Sequence, residues 1–392
     1  MPNQLSVSPV VVNRGSRHRA TSEAPPEPRS LLIALNACPL LSRDTICRLA
    51  LRQPPIFGPP SPPPDEHPGR PRIRRRDLRV AKALARHAGP LAERELEQAG
   101  GAGASLVTIL DDAYPRLLRD LELPPPVLYI QGRLPRRPAI AVVGSRQADP
   151  YGREAAEMFG RELAAAGLMV ISGMARGIDT AAHIGALDAP GGRTVAVQGC
   201  GIDAVYPPGN RDLARRIREQ GAVISEFPIG AAPVPRNFPV RNRLIASLSV
   251  ATLVVQAAPR SGSLITARLA NDLGRDVFAV PGVIFHPRAL GTNTLLADGA
   301  IVAQRTRDIL EALPIAVQDR LRPPEAAEPV GAGLKGDPRE IVNALSVHQT
   351  LSPEELSRLL SRPIEEILAP LLELELTGLV QRYPGPVFHL KR

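Results

Sequence analysis

Lysine is nearly absent from this chain of 392 residues, in which only Lys82, Lys335 and Lys391 occur among 48 basic residues. No lysine lies between Arg86 and Leu334. This excludes a Walker-type phosphate loop, in which Lys and then Ser or Thr must follow the glycines. It also excludes a catalytic or Schiff-base lysine in the central region. The chain is therefore not expected to be a nucleotide-driven motor.

Cysteine, metal-binding patterns and long apolar runs are scarce too. Three cysteines are too few and too scattered for a disulfide framework or a zinc site, and the seven histidines show no metal-ligand spacing. No apolar run approaches the roughly 20 residues of a membrane helix, and the first residues lack the apolar region of a signal peptide. We expect no metal, no cofactor and no membrane contact, and a location in the cytoplasm.

The positive charge is almost entirely arginine and is unevenly distributed. The net charge of +9 divides into +8 for residues 1–138, +3 for residues 139–313 and −2 for residues 314–392. Arginine presents a planar fork of donors that suits phosphate groups. An anionic partner is one reading of this bias, and a codon preference for arginine is the other.

The first part of the chain predicts helices around an insertion. Residues 1–29 are polar and lack periodicity, which indicates a disordered tail. Residues 30–110 predict a small helical domain, interrupted at 51–76 by a Pro- and Arg-rich insertion. The Pro run at 54–71 within this insertion cannot form helix or sheet. The basic cluster Arg72–Arg79 is either a solvated helix start or a nucleic-acid contact.

Residues 111–313 alternate short apolar runs with helical segments. Near-continuous apolarity is typical of strands that are covered on both faces, and the alternation predicts a Rossmann-like, doubly wound parallel sheet. The predicted strands are 139–143, 168–172, 194–198, 222–225, 251–256 and 276–280. The predicted helices are 151–166, 178–188, 210–220, 241–249 and 262–273.

The last part of the chain predicts a winged-helix domain over residues 336–392, after a Pro-, Gly- and Glu-rich linker at 314–335. Pro370 lies inside the third predicted helix, where it should kink the helix or remove a hydrogen bond. The pattern consists of helices at 338–347, 353–360 and 364–376, followed by the strand-like pieces GLVQR and PVFHL.

Glycine, hydroxyl and arginine residues follow the predicted strands, each time just before a helix. Glycine lets a phosphate approach backbone N–H groups, and a helix N-terminus favours an anion. One such loop is only a tight turn, but several on the same sheet edge predict a polyanionic ligand. The loops are Gly144-Ser145-Arg146, Ser172–Asp179, Gly199-Cys200-Gly201, Ser225–Pro228 and Ser261–Thr266.

A second cluster, PRNFPVRNR at 235–243, combines arginines with one of only twelve aromatic residues. Arg241 and Arg243 cannot face the same way on a helix, so one should pair internally while the other points outward. Phe238 is either a base-stacking platform beside cations or a core residue.

A series of motifs runs through residues 106–313 in this order: VVGSR, SGMARGIDTAAHIGAL, GCGID, ISEFPIG, FPVRNRLIASLS, SGSLITARLA, VFAVPG and GTNTLLADGA. In these motifs the chain resembles the DNA-processing protein A family (DprA, also called Smf). YPRLL and PPPVLYIQG at 114–132 are similar to the segment that leads into the family's core. Gln256 in place of an acidic residue, the 51–76 insertion and Pro370 depart from the family pattern.

The resemblance implies a single-stranded-DNA-binding protein of natural transformation and recombination. Such proteins protect incoming DNA, help load the RecA recombinase and form homodimers through the core domain. The DNA- and phosphate-binding residues that it implies are Gly144, Ser145, Arg146, Ser172, Gly173, Arg176, Gly199, Gly201, Arg236, Phe238, Asn242, Arg243, Ser261, Gly262 and Ser263.

The alternative reading is an enzyme of a related fold that cleaves a nucleotide or nucleoside phosphate. Such an enzyme needs a general acid or base near the glycine loops. The candidates are Asp179, Asp203, Glu226 and His183. Asp179 and His183 are four residues apart on one helix and could pair there.

Overall fold

The centre of the fold is a nine-stranded, mostly parallel sheet with helices on both faces, in a computed structural model. The structure describes residues 27–51, 73–321, 336–348, 350–383, 385 and 387–390. The strand order is β1-β2-β6-β5-β4-β3-β7-β8-β9. The strands are β1 Ser105–Thr108, β2 Val127–Gly132, β3 Ala139–Val143, β4 Met169–Ser172, β5 Arg193–Val197, β6 Ala222–Ser225, β7 Ala251–Val254, β8 Asp276–Ala279 and β9 Ile301–Val302.

The doubly wound parallel sheet predicted from the sequence is confirmed. Strands β3 to β8 lie where the six apolar runs predict them, and their side chains are almost all buried because helices cover both faces. Sequence reasoning missed β1, β2 and β9. Strands β1 and β2 extend the sheet at one edge, where β2 pairs antiparallel with β6.

The helices of the sheet region also follow the prediction, with one clear difference. The helix predicted over 241–249 begins four residues earlier, because Pro239 is tolerated in a first turn, where backbone N–H groups have no partner within the helix. The helices are α5 Pro150–Ala165, α6 Ile178–Asp188, α7 Arg211–Gln220, α8 Asn237–Ser247, α9 Gly262–Asp272, α10 Leu290–Ala297, α11 Thr306–Ala312 and α12 Ile315–Gln318.

Four helices precede the sheet: α1 Pro28–Ala37, α2 Arg43–Leu51, α3 Arg75–Ala85 and α4 Ala88–Gly101. Leu32 and Ile33 of α1 share one apolar core with strand residues such as Leu128, so these helices pack directly on the sheet. The domain boundary at residue 110 stays a prediction. Most of the predicted tail and insertion lies outside the described residues. Of the predicted tail, Pro28 and Arg29 belong to α1; of the predicted insertion, Leu51 ends α2 and Arg75 and Arg76 begin α3.

The winged-helix domain predicted near the end of the chain is present, with a separate apolar core. Pro370 lies within α15, and the helix continues through it to Leu376. The predicted linker begins with α12, and residues 322–335 lie outside the described part of the chain. The elements are α13 Asp337–His348, β10 Thr350–Leu351, α14 Pro353–Leu360, α15 Ile364–Leu376, β11 Val380–Tyr383 and β12 Val387–Leu390.

The strand order reverses direction between β3 and β7. The chain winds from β3 through β4 and β5 to β6 on one side, and from β7 through β8 to β9 on the other. Crevices for ligands form at such a switch point, beyond the carboxyl ends of the strands. Among the residues described, no helix combines the length and apolarity needed to span a bilayer.

Candidate nucleic-acid interface

A cleft of about 650 Å³ opens beyond the carboxyl ends of β3 and β7, at this switch point. Its walls come from the loop after β3, from α8 and from the start of α9. The sequence-predicted residues that line it are Gly144, Ser145, Arg146, Phe238, Asn242, Ser261, Gly262 and Ser263. Further lining residues include Asp179, Tyr206, Arg241 and Arg260.

Backbone contacts fix the loop that carries Arg146. The Ser145 N–H donates to the carbonyl oxygen of Gln256 over 2.7 Å. Gly177 packs against this loop with φ of 79°, and a Cβ added there would lie 2.3 Å from the Ser145 carbonyl oxygen. Only glycine meets both conditions without strain. The loop is thus held in place while the Arg146 side chain stays exposed.

The half-buried Phe238 ring lies among cations. The Arg146 guanidinium lies 5.0 Å from the ring centroid and that of Arg241 lies 6.0 Å from it. The Tyr206 ring is tilted against it with centroids 5.5 Å apart, and Gly199 packs against its edge. An aromatic face with flanking cations suits a planar base and its phosphates.

Arg241 is the buried cation of the cleft. Its Nη1 donates to the Val197 carbonyl oxygen over 2.8 Å, and its Nε has no hydrogen-bond partner among the described residues. A Cβ added at Gly173 would lie 1.7 Å from Nη1, so glycine there makes room for the guanidinium. Burial lowers the Arg241 pKa to about 10, so the side chain stays charged at neutral pH.

The N-terminus of α9 forms the opposite wall. Ser261 caps this helix, with its hydroxyl accepting from the Ser263 N–H. The Asn242 side chain donates to the Gly262 carbonyl oxygen over 3.2 Å and so ties α8 to the cap. The first N–H groups of a helix have no intrahelical partner and lie at the positive end of its dipole, which favours an anion.

Several residues that the resemblance implied do not line the cleft. The Ser172 hydroxyl is fully buried and donates to the Val142 carbonyl oxygen over 2.6 Å. Gly201 is also buried, and its N–H donates to the Ala231 carbonyl oxygen. Arg176 and Arg236 are exposed outside the cleft lining. The roles of Gly173 and Gly199 are indirect, since each makes room for a cleft side chain.

Arg243 is a correction. The sequence predicts that one of Arg241 and Arg243 pairs internally while the other points outward. In the structure Arg243 forms the internal ion pair, and Arg241 lies buried in the wall of the cleft rather than pointing outward. Arg243 forms an ion pair with the buried Glu226 and donates to the Leu123 carbonyl oxygen over 2.8 Å. The residue alternation was visible in the sequence, but nothing local to α8 shows which arginine faces Glu226.

The acid–base candidates of the enzyme reading are all engaged in structural contacts. Asp179 accepts from the Gly173 and Ala175 N–H groups, although burial raises its pKa. His183 bonds through Nδ1 to the Thr194 hydroxyl, and burial lowers its pKa to about 3. Glu226 pairs with Arg243, and Asp203 accepts from the Gly230 N–H. None of these contacts joins Asp179 to His183.

The DNA recombination-mediator protein A family model matches residues 105–314, more than half of the chain, and the DprA winged helix domain model matches residues 324–386. The chain belongs to the DprA family. The matched region contains the whole cleft. The relatives of this chain are named protein Smf or DNA processing protein DprA.

Two DprA relatives and one solved structure illustrate the match. Protein Smf of Synechocystis is 35% identical over 74% of this chain and 81% of its own length. The DNA processing protein DprA of Streptococcus pneumoniae is 42% identical over 52% of this chain and 72% of its own length. The crystal structure of DNA processing protein A from the same species superposes with a TM-score of 0.58 at 31% identity, covering 74% of this chain and 94% of that one.

Proposed function

We propose that this protein binds single-stranded DNA in the cleft between the Gly144–Arg146 loop, α8 and the N-terminus of α9. The observation that carries the proposal is the Phe238 ring, whose centroid lies 5.0 Å from the guanidinium of the exposed Arg146 and 6.0 Å from that of the buried Arg241. The accessible part of this half-buried ring can stack only with an unstacked base, which a single strand offers and a duplex does not. The cations and the helix N-terminus provide sites for the phosphates on either side of that base.

In the cell, the bound strand is incoming DNA in natural transformation. The protein protects it and helps load the RecA recombinase, as a homodimer through the Rossmann-like core. Membership of the DprA family and the DNA-processing names of the relatives support this role. Light scattering tests the dimer. RecA filament formation on strands already bound by this protein tests the loading step.

The basic test is a gel-shift series with single-stranded and duplex DNA of the same sequence across salt concentrations. Single strands should bind more tightly than duplex at every salt concentration, because only they offer free bases to Phe238. Equal affinity for both forms would contradict the proposal. A release assay with nucleoside monophosphates tests the enzyme alternative, for which product formation at an Asp179-dependent rate would be required.

Arg146→Ala should weaken single-strand binding and leave the fold intact. Arg146 is exposed, so its removal costs little stability, but one phosphate contact is lost. The slope of log affinity against log salt should flatten by about 0.7, the single-strand increment for one contact. Arg215→Ala, an exposed arginine on α7, is the matched control. An unchanged slope in folded Arg146→Ala would place the phosphate elsewhere.

Truncation after residue 321 should keep most single-strand binding. The winged-helix domain belongs to a segment of net charge −2. Its third helix carries glutamates beside the exposed Leu368, Leu372 and Leu376, and it has no cation. The negative charge of these glutamates is repelled by phosphates. Affinity of the truncated protein for single strands should stay close to that of the full chain. Loss of binding by a truncated protein that still melts cooperatively would show that the site lies in the removed domain.

A further inference from the structure

Helix α3 carries a straight stripe of cations that the cleft does not use. Arg75, Arg79, Lys82 and Arg86 follow one another at spacings of four, three and four residues. At 3.6 residues per turn these positions fall within an arc of about 60°, and they extend about 16 Å along the helix. All four side chains are exposed. Among the described residues, none of them takes part in an ion pair or a side-chain hydrogen bond.

The opposite face of α3 is already occupied. Leu78, Ala81 and Leu84 pack against the apolar core formed by α1 and α2. The helix therefore cannot turn an apolar face into a lipid surface, as an interfacial membrane helix must. On the exposed side only Ala83 lies beside the cations, so this face also lacks the apolar centre of a protein–protein interface.

The helix dipole accounts for only part of the stripe, since Lys82 and Arg86 lie at the C-terminal end of α3, where cations are favourable. Arg75 and Arg76 lie in the first turn, at the positive end of the helix dipole, where cations are unfavourable. The one acidic residue of the helix, Asp77, lies on the side away from the stripe and is half-buried. Four cations in one line that meet no counter-charge on their own helix are suited to an external polyanion.

The helical segment also meets the same edge of the sheet as the cleft. The side chains of Asn36 and Arg43 both donate to the carbonyl oxygen of Glu226, directly beyond the carboxyl end of β6. Helix α3 packs on α1, which carries Asn36. A strand that leaves the cleft along this edge therefore runs toward the helical segment.

We propose that the α3 stripe binds the phosphates of single-stranded DNA that extends beyond the cleft. This inference rests on the proposed function of the cleft. Cations that rise by about 4.5–6 Å from one to the next can each meet a phosphate of an extended strand. Helix α3 has no aromatic residue, so the contact involves the backbone only and is independent of sequence.

The test compares the full-length protein with the variant R75Q/R79Q/K82Q/R86Q. Binding is measured across salt concentrations with oligothymidylates of two lengths. Strands of about 6 nucleotides occupy the cleft alone, and strands of about 30 nucleotides extend beyond it. We expect the variant to bind the long strand more weakly, with the salt slope flattened by about 2–3, the value for three or four lost contacts. Affinity for the short strand should be unchanged.

Two further variants control for net charge and for folding. R215Q/R307Q/R320Q/R339Q removes four other exposed arginines and should keep the wild-type slope on the long strand. R75K/R79K/R86K keeps the stripe's charge and should bind as the wild type does. Melting temperatures of all variants verify the fold.

Any of the following outcomes overturns the inference. An unchanged slope on the long strand, an equal loss on the short strand, an equal loss in the control variant, or a loss confined to duplex DNA would each do so. Failure of the proposed function is distinguishable, because then Arg146→Ala would leave the binding of both oligonucleotides unchanged.

Discussion

Replacing Arg243 with alanine is expected to lower the free energy of unfolding by about 3–5 kcal/mol, because it removes the cation that forms an ion pair with the buried Glu226 carboxylate. The Glu226 side chain is 1% exposed and that of Arg243 is 16% exposed, so water can replace little of the lost ion pair. The hydrogen bond from Arg243 to the Leu123 carbonyl oxygen disappears as well. Denaturant unfolding followed by circular dichroism measures the effect.

The same variant separates a structural from a DNA-binding role for Arg243. At a temperature where the variant remains folded, its salt slope for single-stranded DNA should equal that of the wild type. The double variant R243M/E226L should regain part of the lost stability, since a buried ion pair can be replaced by apolar side chains at little cost. A stable Arg243→Ala protein with a flatter salt slope would show that Arg243 contacts phosphate after all.

Phe238→Ala should weaken single-strand binding by about 1–3 kcal/mol, which corresponds to roughly 5- to 150-fold in Kd. The substitution removes the surface on which a base can stack and the ring that holds the Arg146 guanidinium 5.0 Å from its centroid. The ring is only half-buried, so the fold should tolerate its loss. Fluorescence anisotropy with a labelled single strand gives the change in Kd.

The salt dependence distinguishes this loss from that of Arg146→Ala. Stacking involves no counterion release, so the slope of Phe238→Ala should stay near the wild-type value while the affinity falls. Phe285→Ala is a matched control, because Phe285 is 87% exposed and lies outside the cleft lining. Wild-type affinity in Phe238→Ala, or an equal loss in Phe285→Ala, would contradict a stacking role.

The sequence by itself determined the order and nature of the central elements. Runs such as 139–143 and 222–225 lie between helical segments and consist of apolar residues, and both are strands with those same bounds in the structure. Short-range patterns are sufficient here because a strand covered on both faces must be apolar throughout. The glycine loops were visible for a similar reason, since only glycine permits the close approaches at Gly173 and Gly177 and the positive φ of Gly177.

The edge strand β1, its neighbour β2 and the composition of the cleft depended on contacts between distant parts of the chain. Ser172 ends strand β4, where a ligand-binding serine could lie, yet its hydroxyl donates to the carbonyl oxygen of Val142, 30 residues earlier. Helix α8 carries two arginines of equal chemistry, and only the position of Glu226, just beyond the end of β6, decides that Arg243 forms the ion pair while Arg241 lines the cleft. Local sequence gives the residue types and their spacing, whereas burial and ion pairing are properties of the packed elements. The tertiary structure alone therefore decided which of the phosphate-binding candidates are free to meet a ligand.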